Sequence, residues 1–257
     1  MDSAGAAPFV GSLEVDPGDG SLLLATNRGL YRVRQDGMEP VRARMGRNDV
    51  AKGLAFRFTG PGEAVGSGHP GSERSRWAVL GLVRTEDGGR TWRSVSRLGA
   101  SDFHAVAVSG GTLAAAEGNE ATVFVSRDGG GTFETRSAPL ALTDLELDPE
   151  DPERWVATAE TGVHRTTDGG TSWRPADAAG GARLAWPASD ALFRTDLDGR
   201  VSRSSDGGLT WEDVGRVDGE TQALAAVDEE TLYAADLEGV VRVSRDGGRS
   251  WSEFARP

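Results

Sequence analysis

Polar and apolar residues along this chain alternate in short runs, and helical periodicity of useful length is absent. A representative stretch reads Leu142-Thr143-Asp144-Leu145-Glu146-Leu147, closed by Asp148-Pro149. It continues with Arg154-Trp155-Val156-Ala157-Thr158, then Gly162-Val163-His164-Arg165-Thr166, then a glycine-rich turn and Trp173-Arg174. These are four short strands separated by polar turns. The same order is visible in Ser12–Asp16 with Ser21–Thr26, and in Thr231–Ala235 with Gly239–Ser244.

The turn before the last strand is the clearest repeat. Thr85-Glu86-Asp87-Gly88-Gly89-Arg90-Thr91-Trp92 recurs as Ser126–Phe133, Thr166–Trp173, Ser204–Trp211 and Ser244–Trp251, with the consensus Ser/Thr-x-Asp-Gly-Gly-x-Ser/Thr-Trp/Phe. Its aspartates, Asp87, Asp128, Asp168, Asp206 and Asp246, are spaced by 41, 40, 38 and 40 residues. A decayed copy, Arg34-Gln35-Asp36-Gly37, lies 51 residues before Asp87, and the extra length is assigned to one insertion near residues 60–80. The carboxylate accepts backbone N–H bonds across the turn. The next glycine supplies positive φ, and the aromatic residue starts a strand and buries area against a neighbouring repeat. The five aspartates are therefore read as structural.

Six units of about 40 residues, four strands each, predict an all-β, six-bladed β-propeller with four-stranded antiparallel blades. Ring closure makes residues 1–257 one domain, with blades near 9–45, 46–99, 100–140, 141–179, 180–218 and 219–257. A terminal strand swapped across the seam is the alternative way to complete one blade.

These turns resemble the Asp-box of the bacterial neuraminidase repeat, found in sialidases, sortilin-type receptors and the propeller factor for photosystem II assembly. The resemblance covers nearly the whole chain and implies the architecture, while activity differs among its carriers. Gly66–Pro70, Leu80–Ser96 and Asp102-Phe103-His104-Ala105 further resemble small bacterial propellers of the glycosylhydrolase or exo-sialidase-like kind. Such relatives carry a His-x-His pair in the first strand and a methionine in the second blade. The aligned places here are Phe9, Gly11 and about Lys52, which removes several ligands of a His/Met metal site. A sialidase also needs an arginine triad, a Tyr/Glu nucleophile pair and an acidic general acid. The Phe/Tyr-Arg-Ile-Pro motif is absent, and the two tyrosines, Tyr31 and Tyr233, fall inside predicted strands. The resemblance thus implies the frame without sialidase catalysis.

Propeller geometry puts the Asp turns on one face and the loops around the channel mouth on the other. The insertion Gly66–Trp77 on that second face holds His69, Arg74, Arg76 and Trp77. The two arginines are carboxylate or phosphate binders, or solvated loop residues. Trp77 is a ligand platform, or it plugs the loop onto the body. His104 starts the first strand of blade three. With His69 from the adjacent blade, and Asp102 or Glu117, it would bind a metal or form an acid–base group; the plain alternative is a hydrogen-bonded structural histidine. A ring of Ser12, Lys52, His104, Asp144, Arg183 and Gln222, with Asp49 beside Lys52, would line the mouth as a polar ligand site or a self-neutralising lining. His164, mid-strand beside a turn, reads as structural.

Composition narrows the partners. Acids outnumber bases 40 to 28, a net charge of −12, which argues against nucleic acid. No apolar run is long enough to span a membrane as a helix. Cysteine is absent, so disulfides and thiolate chemistry are excluded. No signal peptide is seen, which reads as cytoplasmic if Met1 is native and as exported if a leader was trimmed. Lys52 is the sole lysine beside 27 arginines, a skew that fits a GC-rich genome. No cofactor is expected, apart from a metal at His69/His104. Three function classes stay open. The first is a monomer that binds a small polar ligand or a protein partner at the channel mouth. The second is a small-molecule enzyme, a divergent glycoside hydrolase or a lyase/cyclase, using His104, Lys52 and Asp102 as acid–base groups. The third is a protein-assembly scaffold.

Overall fold

A computed structural model of the chain describes residues 9–35, 37–46, 51–71, 75–178 and 183–256. Among these the chain is all strand and turn, arranged as six antiparallel sheets in a six-bladed β-propeller. Each sheet takes its four principal strands from one consecutive stretch. Blade one uses Val10–Val15, Leu22–Thr26, Gly29–Arg34 and Gly37–Val41; blade six uses Thr221–Ala226, Leu232–Asp236, Val241–Ser244 and Ser252–Ala255. Among the described residues no strand is swapped between them. Blade two gains a fifth strand, Arg44–Met45, which runs parallel to its outer strand Thr91–Ser96 as the chain crosses from blade one.

The core is divided by junction. Each of six apolar clusters is built from two neighbouring blades, so each sheet face is buried by its neighbour and not by its own strands. The turn aromatic of a blade packs at the junction with the preceding one. Trp92 joins the blade one–two cluster, Phe133 the two–three, Trp173 the three–four, Trp211 the four–five and Trp251 the five–six. At the six–one seam Met38 stands in that place, beside Tyr31, Tyr233 and Phe254.

The turns follow the chemistry of their residues. In blade two Asp87 Oδ1 accepts from Thr91 N (2.8 Å) and Thr85 Oγ1 (2.9 Å), and Oδ2 accepts from Thr91 Oγ1 (2.6 Å). Thr85 Oγ1 in turn accepts from Gly89 N at 3.0 Å. Gly88 and Gly89 have φ of 66° and 84°. The same bonds recur around Asp128, Asp206 and Asp246, and around Asp168 with Ser172. These bonds draw the carboxyls down, to about 2 for Asp168, chiefly through Ser172, and for Asp246, chiefly through Ser250. At Asp206 slight burial works upward and is outweighed by the bonds from Thr210 and Ser204, again giving about 2. Asp36 of the decayed copy lies outside the described residues.

Blade two departs from the expected loop. Glu63–Pro70 is a strand, paired with Ala51–Gly60, so the extra length is partly a longer hairpin and His69 sits on a strand opposite Lys52. Its glycines serve close approach: a Cβ on Gly66 would lie 2.7 Å from Ala55 O, and one on Gly68 2.8 Å from Lys52 O.

Candidate functional site

The innermost strands open the site through a repeated irregularity. At the mouth end of the first strand of blades one, three, four and six the register shifts by one residue, leaving Gly11, His104, Thr143 and Gln222 unpaired. Such a bulge re-aims a side chain away from its sheet face. This is why His104 is exposed while its neighbours Phe103 and Ala105 are buried.

Three side chains meet at the rim of blades two and three. His104 Nε2 donates to Asp102 Oδ2 at 3.1 Å, and His69 Nε2 stands 3.5 Å from the same oxygen. His69 Nδ1 faces the Ala78 carbonyl at 3.1 Å. Glu117 Oε1 accepts from Asp102 N (2.8 Å), and Gly118 N donates to Asp102 O (2.9 Å), which fixes the carboxylate's backbone. The His104 ring lies on Gly118, where a Cβ would come within 2.7 Å of it. The His104 hydrogen bond holds the Asp102 carboxyl below its usual range, and the same bond raises the imidazole above 6.5 against partial burial.

Two spaces flank this cluster. The channel side is a cavity of about 40 Å³, with Ser12, Asp144, Arg183, Gln222 and His104 among its lining. That is room for about one water molecule. On the other side lies an open cleft of about 410 Å³ lined by Lys52, His69, Pro70, Gly71, Ser75, Arg76, Trp77 and Ala78. That is the size of a small-ligand site. Trp77 rests against Gly99, where a Cβ would lie 2.4 Å from the indole. The Arg76 guanidinium stacks 4.8 Å from the Trp77 ring centre.

Lys52 belongs to the cleft and not to the channel. The register shifts between Lys52 and Ala55, and Gly53 has φ of 58°; beyond this irregularity Ala55, Phe56 and Arg57 line the channel, while Lys52 lines the cleft. Among the described residues its amine makes no ion pair. Asp144 is used in the frame: its Oδ2 accepts from Leu184 N of blade five and its Oδ1 from Leu145 N, both at 2.9 Å. Arg183 donates to Thr143 O (2.9 Å), Ser12 Oγ to Leu54 O (2.9 Å), and Gln222 Nε2 to Glu220 Oε1 (3.3 Å). Asp49 and Arg74 lie outside the described residues. Among the described residues no three His, Asp or Glu side chains are grouped to hold a metal ion.

Sequence reading missed what fills the channel. Arg57 of blade two reaches Glu14 of blade one (2.8 Å), Glu146 of blade four (2.7 Å) and the Val106 carbonyl of blade three (3.3 Å). Burial pushes Glu14 up to about 7 and Glu146 up to about 8, against the pull of Arg57. Burial works on Arg57 in the opposite sense and is outweighed by the two glutamates. The signal was present: each of the three is a lone charge between apolar neighbours, as in Phe56-Arg57-Phe58 and Leu145-Glu146-Leu147.

No family model matches the chain, and no curated protein matches it. Solved structures do match in fold. The GH74 xyloglucanase from Xanthomonas campestris aligns at 20% identity and a TM-score of 0.61, over 98% of this chain and 40% of that one. A chain of a nidogen/laminin complex aligns at 16% identity and a TM-score of 0.68, over 92% of this chain and 93% of that one. YCF48 bound to D1 peptide aligns at 15% identity and a TM-score of 0.50, over 98% of this chain and 70% of that one. The chain spans 36%, 40% and 37% of the lengths of three GH74 structures. At these identities the likeness is one of fold.

Proposed function

We propose that this propeller is a binding module for a small polar ligand carrying a carboxylate or phosphate, and that the ligand sits in the rim cleft of blade two, beside blade three. The observation that carries this reading is the convergence of His69 and His104 on Asp102 at the edge of a cleft that also presents Lys52, Arg76 and Trp77. Lys52 and Arg76 supply cationic donors and Trp77 an apolar surface. The channel offers no comparable room.

Two further observations support binding without sialidase chemistry. Tyr31 and Tyr233 pack at the six–one seam and not at the rim of blades two and three. The five aspartate turns, read as Asp-boxes, spend both carboxylate oxygens on their own turns, which makes them parts of the frame.

The test is calorimetric titration with a panel of hydroxy-carboxylates, sugar acids and sugar phosphates. A ligand from this panel should lose about tenfold or more in affinity in Lys52→Met and in Arg76→Ala, the scale of one charge-assisted hydrogen bond. A panel ligand that binds both variants like the parent protein places the site elsewhere.

A second reading rests on the His104–Asp102 hydrogen bond, which is also the geometry of an acid–base pair in a hydrolase or lyase/cyclase. Turnover of a bound panel ligand, lost in His104→Gln, would select it over binding alone.

A further inference from the structure

The mouth face carries a second surface, on blades five and six, that the rim cleft does not use. The loops joining the second and third strands there have the same form, Asp196-Leu197-Asp198-Gly199 and Asp236-Leu237-Glu238-Gly239. Each is locked by its first aspartate. Asp196 Oδ1 accepts from Asp198 N (3.0 Å) and Arg200 N (2.9 Å); Asp236 Oδ1 accepts from Glu238 N (2.9 Å) and Val240 N (3.0 Å). Gly199 and Gly239, at φ of 78° and 79°, close the turns by donating to the Asp196 and Asp236 carbonyls at 3.0 Å. The leucine at each apex is thereby held out in water: Leu197 is 54% exposed and Leu237 39%. An apolar side chain at the tip of a rigid polar turn contributes nothing to the core, and here the arrangement occurs twice, in adjacent blades.

The two turns belong to one surface. Segment 217–220 lies between them. Val217 N donates to Gly199 O at 2.8 Å, and a Cβ on Gly199 would lie 2.2 Å from Val217 O. On the other side a Cβ on Gly219 would lie 3.2 Å from Asp236 Cβ. Acids outnumber bases on this surface, with Asp196, Asp198, Asp213, Asp218, Asp236 and Glu238 set against Arg200, Arg216, Arg242 and Arg256. The guanidiniums of Arg200 and Arg216, both exposed, are engaged by Asp196 and Asp213 and by the Asp198 carbonyl, and that of Arg242 is turned inward to Asp236. Asp198, Asp218 and Glu238 are exposed, and among the described residues none of their carboxylates lies within ion-pair distance of a cation, Glu238 feeling Arg256 only as a longer-range charge.

We propose that Leu197, segment 217–220 and Leu237 form a docking surface for a basic segment of a partner protein, one that carries two apolar side chains to cover the leucines and Lys or Arg residues to meet Asp198, Asp218 and Glu238. The charge pattern selects this occupant, because a neutral or acidic apolar segment would leave or repel three free carboxylates. Salt weakens the complex, since the charges lie at an exposed rim.

The test is fluorescence anisotropy with labelled synthetic peptides in which Arg and Leu alternate at graded spacings. Control peptides carry Ser for Leu, or Glu for Arg. The expected result is saturable binding of one or more Arg/Leu peptides, weakened by salt. The double variant Leu197→Ser/Leu237→Ser should lose about tenfold or more, the scale of removing two buried leucines from an interface. Asp198→Asn/Glu238→Gln should lose a few-fold and show a flatter salt dependence. Leu209→Ser, an exposed leucine on an aspartate turn of the opposite face, should leave binding unchanged. Unchanged melting temperatures show that the variants fold. Absence of saturable binding, equal binding of the Ser peptides, or an equal loss in Leu209→Ser overturns the proposal. Concentration-dependent self-association abolished by Leu197→Ser also overturns it, and gives the surface to a second copy of the chain.

Discussion

Arg57 and Glu146 meet at 2.7 Å across the channel, although they come from blades two and four. With Glu14 on the other side of the guanidinium, one largely buried cation is set against two buried carboxylates. Removing the cation leaves both acids without their partner. Arg57→Met should cost about 3–5 kcal/mol, the usual size of breaking a buried ion pair. Urea denaturation at about pH 9, where both glutamates are ionised, measures it; a loss below about 1 kcal/mol would mean that the charges are solvated.

The same triad makes stability fall with rising pH. A carboxyl whose folded value is raised binds its proton more tightly in the native state. Its contribution is complete below the unfolded value near 4.5 and is lost as pH climbs toward 7 and 8, the values for Glu14 and Glu146. The aspartate turns act in the opposite sense. Asp168, Asp206 and Asp246 are held near 2, so their contribution is present above about 4 and lost as pH falls through 2. Melting temperature against pH should therefore peak between about pH 4 and 4.5, above the unfolded aspartate value and below the unfolded glutamate value. Glu146→Gln, which keeps the shape and removes one charge, should flatten the alkaline side of that curve and leave the acid side as it was.

His104 should titrate above an ordinary histidine, because its proton is shared with Asp102. In Asp102→Asn the imidazole loses that anion, and its titration point should drop; NMR shifts of the ring protons measure both. On the proposed binding role, anions in the cleft should bind best below the His104 titration point and weaken as pH rises through it. Gly118→Ala pushes a methyl into the ring and should perturb the His104 resonances without altering those of His164 on blade four.

The turn aromatics are the fastenings between blades, and their loss should be felt in proportion to burial. Trp92 is buried at the one–two junction and donates from Nε1 to Gly89 O at 2.9 Å. Trp92→Ala should cost about 3–5 kcal/mol. Met38→Ala at the seam, where a smaller, partly exposed side chain is cut back, should cost less. Thermal melts of the two variants side by side decide this; equal losses would contradict the junction-by-junction core.

Much of the frame was legible in the sequence because it is written repeatedly. Five copies of one turn fix the strand order, the blade count and the burial of the aromatics, since each copy constrains the others. The candidate site was legible only in part. His69, Asp102 and His104 could be brought together because neighbouring blades and the mouth-side location followed from the repeat. Lys52 could not be placed, because a single register shift before Ala55 moves it from axis to rim, and alternation alone does not reveal such a shift. Glu14, Arg57 and Glu146 escaped notice because alternation distinguishes two faces of a strand, while the innermost strands also have an edge toward the axis. A charge there is shielded by five other blades and not by water.

The six–one seam differs from the other five junctions in two ways: Met38 replaces the turn aromatic, and no stretch of backbone leads from the last sheet into the first. The ring is therefore a split washer, sprung shut by side-chain packing around Leu13, Leu24, Ala223 and Val241. Its weakest line is set by connectivity before any residue is changed. Breathing motions should concentrate there, and amide hydrogens of Val10–Val15 and Thr221–Ala226 should exchange ahead of their counterparts in blades three and four.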